Sequence, residues 1–127
     1  MIDLFGSYNH TEIDTARVYG RGTSEKVLGD LKAGEKFSIS SKQYPYTPEK
    51  MGSILNLGPE PWPLTRENIA KHVDIALKST GVKKLKIFYL HGPDRTTDIE
   101  ETLKACDEQY KLGKFETVSA NYISKFK

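Results

Sequence analysis

Asp14, Tyr19, Lys42 and His91 each stand at or just past the end of a short extended run in this sequence. Together these residue types can move a proton to an oxygen. A phenol with its ordinary pKa near ~10 is a poor acid at neutral pH, and a neighbouring ammonium that stabilises the phenolate corrects this. The carboxylate of Asp14 would hold and neutralise the Lys42 ammonium, whose burial alone would be costly. The imidazole of His91 can donate a hydrogen bond to an oxygen that gains negative charge. The four describe a site that protonates a carbonyl oxygen while hydride arrives at the carbon. No side chain donates hydride, so a nicotinamide or flavin cofactor has to supply it. Asn121 carries an amide suited to a nicotinamide carboxamide. Any one polar residue at a strand end is more often a solvated border than a catalyst; it is their conjunction that carries the reading.

The elements that must position these groups alternate along the chain. Thr11–Asp14 reads as the end of a strand. "TSEKVLGDLKAG" then reads as a helix with Thr23 or Ser24 as cap, Glu25 at its positive end and Val27, Leu28 and Leu31 on one apolar face. "KFSISSK" alternates as a second strand, and residues 44–64 hold five of the six prolines and read as one long loop. Thr65 caps a helix with the stripe Ile69, Val73, Ala76 and Leu77. The apolar run Ile87–Leu90 reads as a strand buried on both faces, as parallel strands are. A last helix shows Ile99, Leu103, Cys106 and Tyr110 as its core stripe, and "FETVSANY" closes as a strand. The predicted strands lie near residues 10–14, 36–42, 85–91 and 116–121. Strand–helix alternation of this length implies an α/β fold with right-handed crossovers and a parallel sheet. Such a sheet is either open and doubly wound or part of an eight-stranded barrel, and ligand chemistry sits at the C-terminal strand ends in both.

Bulk properties narrow the partners. The chain has 127 residues, 37% hydrophobic and 28% charged, with a formal net charge of +2, which is one domain of globular composition. That charge is too small and too dispersed to argue for nucleic acid or an acidic membrane surface; the run Lys83–Lys86 reads as a solvated turn. No apolar run approaches the ~20 residues that span a bilayer. Met1–Phe5 is too short for a targeting core, and the single cysteine, Cys106, fits a reducing compartment, so the cytoplasm is expected. Cys106 reads as packing. His10 and His72 read as polar-face or cap residues without a second metal ligand at suitable spacing, so no metal is expected. Gly20 and Gly22 read as turn formers, since Gly-Arg-Gly is not a complete dinucleotide fingerprint.

"DTARVYGRGTSEKVLGDL" resembles the signature of the aldo-keto reductases, in which Asp-Thr-Ala, Tyr-Gly, Ser-Glu and Leu-Gly recur. "LKIFYLHGPD" resembles that family's histidine-bearing strand, and "ETLKACDEQYKLGKFETVSANY" its helix leading into a Ser-Asn-Tyr cofactor strand. "HTEIDTARVYG" with "FYLHGPD" is most similar to the aflatoxin-aldehyde reductase branch and its fungal relatives. The resemblance runs over nearly the whole chain, weakest at residues 46–63. It implies a catalytic tetrad of Asp14, Tyr19, Lys42 and His91, with Tyr19 as general acid. It also implies NADPH as cofactor, touched by Asp14, Ser119 and Asn121, at the mouth of a (β/α)8 barrel, and reduction of a small-molecule aldehyde or ketone.

The chain departs from the family pattern at particular places. Ala120 stands where the family has Ser before the asparagine, with Ser119 one residue earlier, and the usual glycine of that strand is absent. The 44–64 segment is longer than the branch usually carries, and Trp62 has no obvious counterpart. Residues 1–127 match a parallel β/α segment amounting to about half of a TIM barrel, with Ile2–Ser7 at the end of the first helix. A half-barrel exposes two sheet edges and an apolar face, which implies self-association through open edges. The alternative to a working reductase is therefore a truncated, catalytically impaired fragment or a non-catalytic interaction module.

Overall fold

The computed structural model describes residues 1–55 and 57–120. Four strands form one sheet in sequence order: β1 (Glu12–Asp14), β2 (Ser38–Gln43), β3 (Leu85–Leu90) and β4 (Phe115–Ala120). Every adjacent pair is parallel, as the strand–helix alternation predicts. The connecting helices are α2 (Ser24–Asp30), α3 (Pro48–Leu55), α4 (Arg66–Thr80) and α5 (Ile99–Lys111), with α1 (Ile2–Ser7) preceding the first strand. Because all four strands run the same way, their C-terminal ends share one rim.

The core lies between the sheet and the helices. Ile39, Phe88 and Leu90 from the strands pack with Leu64, Ile69, Val73, Ala76, Ala105 and Cys106 from the helical side. The predicted stripe of α4 is there: Ile69, Val73 and Ala76 are buried and Leu77 packs against them. Its cap is also as read, with Thr65 Oγ1 accepting from Asn68 N. Cys106 is buried, and desolvation pushes its thiol up to about 12, so it packs as an apolar side chain.

Three expectations need correction. On α2, Val27 and Leu31 are exposed, while Glu25 is buried. The reason is close packing on α4: a Cβ placed on Gly29 would stand 2.0 Å from the Ser79 carbonyl oxygen. Gly29 thus sits against α4, Glu25 turns inward to Ser41 of β2, and Leu28 keeps its predicted place against the core while Val27 and Leu31 point away. On α5, the buried residues are Thr102, Ala105, Cys106 and Gln109, whereas Ile99, Leu103 and Tyr110 are exposed. The smaller row faces α4, and the larger apolar row turns outward. The 44–64 segment is not loop throughout, since α3 occupies eight of its residues. Pro48 opens that helix at the position where its fixed φ and missing N–H are harmless.

The Gly29 contact makes a stability prediction. Gly29→Ala forces a methyl against backbone that cannot rotate aside, so α2 must move off α4. A loss of about 1–3 kcal/mol is expected, as for overpacking elsewhere. Urea unfolding followed by far-UV circular dichroism reads it, and an unchanged midpoint would contradict the packing described.

Candidate active site

Strand register brings the chemistry together. Asp14 lies opposite Ser40 in the β1–β2 pair, and Lys42 lies two residues beyond Ser40, so both side chains leave the same face of the sheet. Lys42 in turn pairs with Tyr89, and Tyr89 with Ser119, which makes one row across β2, β3 and β4. At about 4.8 Å per strand, Ser119 stands roughly 10 Å along the rim from Lys42.

The Lys42 ammonium is almost fully buried and donates to Asp14 Oδ2 and, at 2.9 Å, to the Thr15 carbonyl oxygen. It lies 5.0 Å from the centre of the Tyr19 ring and 5.3 Å from that of Tyr89. Tyr19 is 40% exposed. His91 follows β3 directly, with its backbone N–H bonded to the Gln43 carbonyl. Its imidazole meets the Tyr19 ring edge-on at 5.8 Å and the Tyr44 ring at 5.6 Å. Burial, then the Lys42 charge, lowers the His91 pKa, with Asp14 opposing, so the ring is neutral at pH 7. Asp14, Tyr19, Lys42 and His91 thus stand within one cluster at the C-terminal rim. Ser119 lies on the same face further along, and Asn121 falls outside the described residues.

Tyr19 opens a tight turn, residues Tyr19–Gly22, in which Gly20, Arg21 and Gly22 all have positive φ (58°, 54° and 86°). Glycine adopts that region freely, and an arginine there is held by its surroundings. Gly20 and Gly22 therefore serve the turn, as read.

The structure also shows neighbours that sequence reasoning missed. Glu25, read only as a helix-end charge, is 1% exposed and accepts from Ser41 Oγ at 2.5 Å. His72 is 3% exposed and packs against Trp62 in a tilted ring pair, with centres 4.7 Å apart, so it is neither a cap nor a polar-face residue. The signal for both lay in their spacing: Glu25 precedes Gly29 by one helical step, and His72 sits beside the Val73 position of the α4 stripe.

The aldo/keto reductase family profile matches residues 1–123 of this chain. The chain belongs to the aldo/keto reductase family. The chain is 34% identical over 116 residues to the oxidoreductase sirO of Leptosphaeria maculans, covering 91% of itself and 31% of that protein. It is 32% identical over 127 residues to the aldo-keto reductase pigE of Monascus ruber (98% and 36%). Against aflatoxin B1 aldehyde reductase member 2 of Homo sapiens it is 33% identical over 129 residues (97% and 32%). In fold it is similar to a crystal structure of a thermostable aldo-keto reductase in complex with the inhibitor epalrestat. That match has a TM-score of 0.76 at 23% identity and covers 95% of this chain and 40% of that one. The aldo/keto reductase chain therefore forms a partial barrel, and it spans about a third of the length of the curated relatives it matches.

Proposed function

We propose that residues 1–127 carry the proton-donating part of an NADPH-dependent site that reduces an aldehyde or ketone to an alcohol. The observation behind this reading is the Lys42 ammonium, joined to Asp14 and lying over the Tyr19 ring whose edge His91 contacts. In the reaction, the substrate carbon gains hydride and its oxygen gains a proton. Tyr19 gives that proton from its hydroxyl. Lys42 stabilises the phenolate left behind, and Asp14 keeps the buried ammonium neutralised. His91, as a neutral imidazole, offers one N–H to orient the carbonyl oxygen.

The rim fits a nicotinamide in its donor chemistry: the Ser119 hydroxyl lies in the Lys42 row, and the open face beside Tyr19 is aromatic and polar. Asp14, Ser119 and Asn121 are the residues that would hold it, and it would supply the hydride. Among the described residues no helix is long and apolar enough to cross a membrane. A cytoplasmic location is proposed on the single buried thiol and the family chemistry.

A second reading has its own observation. Ile99, Leu103, Tyr110 and Val118 form exposed apolar surface beside β4, an edge strand among the described residues. Such an edge favours association. We predict that the 127-residue polypeptide, studied alone, binds NADPH weakly, reduces aldehydes slowly or not at all, and associates with itself. Fluorescence titration with NADPH and light scattering read this. Tight binding, steady turnover and a monomeric mass would overturn the prediction for the polypeptide and leave its family membership standing.

A further inference from the structure

Arg17 lies between the two segments the sequence treated as unrelated, the Tyr19 turn and the proline-rich stretch. Its backbone N–H donates to the Lys42 carbonyl at 3.0 Å. Its guanidinium Nη1 stands 3.6 Å from the buried Glu25 Oε2 and donates to the Gly22 carbonyl at 3.3 Å. Its guanidinium carbon lies 5.9 Å from the centre of the Trp62 ring. Each of these partners is itself held. Glu25 is bonded to Ser41, the residue before Lys42. The Trp62 ring packs on Tyr46 and His72, and the Trp62 backbone N–H donates to the Tyr46 carbonyl at 2.8 Å. A second contact joins the same two segments, since a Cβ on Gly22 would meet the Leu57 side chain at 3.7 Å.

The turn needs such a hold. Three successive left-handed residues, one of them an arginine, are not a conformation a free chain keeps. Within the turn, Thr23 Oγ1 donates to the Gly20 carbonyl, and Arg17 ties down the far end at Gly22. We propose that Arg17, clamped between the Glu25 carboxylate and the face of Trp62, is a positioning residue for the Tyr19 phenol. Through it the proline-rich segment sets where the proton donor stands. This rests on the proton-donor role of Tyr19 proposed above. It also gives Trp62 a use: its ring face attracts the cation at 5.9 Å while the guanidinium's fork of N–H donors reaches Gly22 and Glu25, which the compact ammonium of a lysine does not match.

The test uses the 127-residue chain with Arg17→Met, Arg17→Lys, Trp62→Phe and Trp62→Ala. Tetranitromethane nitration is read at Tyr19 by peptide mass, with exposed Tyr8 and Tyr110 as internal references, and far-UV circular dichroism checks the fold. Arg17→Met, Arg17→Lys and Trp62→Ala are expected to shift the Tyr19 rate at least roughly threefold against the references, because a strained turn freed from its tether samples other conformations. Trp62→Phe keeps an aromatic face and should retain the wild-type rate. Trp62 is the sole tryptophan, so its emission should shift in Arg17→Met as the clamp opens. Should Arg17→Met unfold by stranding the Glu25 charge, Arg17→Met/Glu25→Gln removes both charges and takes its place. A Tyr19 rate equal to wild type in folded Arg17→Met or in the double variant, and in Trp62→Ala, overturns the proposal. Where turnover is measurable, kcat should fall with NADPH affinity unchanged. Absent turnover in the isolated wild-type chain leaves the nitration contrast to decide the clamp, and the proton-donor role of Tyr19 is decided separately by Tyr19→Phe in a full-length barrel.

Discussion

Tyr19→Phe should lower carbonyl reduction by ~10²–10⁴-fold, the usual worth of a general acid, with nicotinamide affinity and fold unchanged. The substitution keeps the ring that lies 5.0 Å from Lys42 Nζ and 5.8 Å from the His91 ring, and it removes only the O–H. What is lost is therefore the proton and not the packing. The measurement is loss of NADPH absorbance over a panel of aldehydes in a full-length barrel carrying these residues, beside a fluorescence titration of cofactor binding. More than a tenth of the activity surviving would assign the proton to another group. Since burial and Lys42 depress the His91 pKa, any acid limb due to His91 should lie below the ordinary imidazole range near ~6.5.

Acid should also destabilise the fold through His72, on the order of 3 kcal/mol by pH 4. Burial first, then the Arg17 and Lys71 charges, lower its pKa to about 4 from 6.5. A histidine depressed in the folded state binds its proton more readily when unfolded. Stability is then fully present above the unfolded value and falls as pH drops from 6.5 towards 4, with roughly 2 kcal/mol already lost at pH 5. Glu25 acts with the opposite sign. Burial raises its pKa, although Ser41 and Arg17 pull it back, so its buried charge costs stability at neutral pH and that cost is relieved in acid. Urea unfolding at pH 7 and pH 5 of wild type and His72→Gln separates the two. The wild type should lose more stability than the variant, and equal losses would remove His72 as the cause.

The elements and the rim were legible in the residues because strand and helix periods are local. Alternation at Phe37, Ile39 and Ser41, the run Ile87–Leu90 and the α4 stripe each mark an element within two residues of its observed bounds. The four polar groups at strand ends followed from the same reading, since parallel strands put their C-termini on one side. The outer helices were read less well. α2 and α5 each carry two candidate faces, and local pattern favours the more apolar one. Tertiary packing buries Glu25 on α2 and Thr102, Ala105, Cys106 and Gln109 on α5 instead, with Gly29 permitting the close approach of α2 to α4.

By itself, then, the sequence determined the parallel β/α order and the gathering of Asp14, Tyr19, Lys42 and His91 at one rim, both consequences of short-range periodicity. Only the tertiary structure decided that Glu25 and His72 are buried, that the proline-rich segment folds α3 and docks Trp62, and that Arg17 bridges that segment to the Tyr19 turn. These depend on contacts between residues 8 to 45 positions apart, Arg17 with Glu25 and with Trp62 among them. Contacts of that separation are chosen by the global packing of helices on the sheet, which no local window contains.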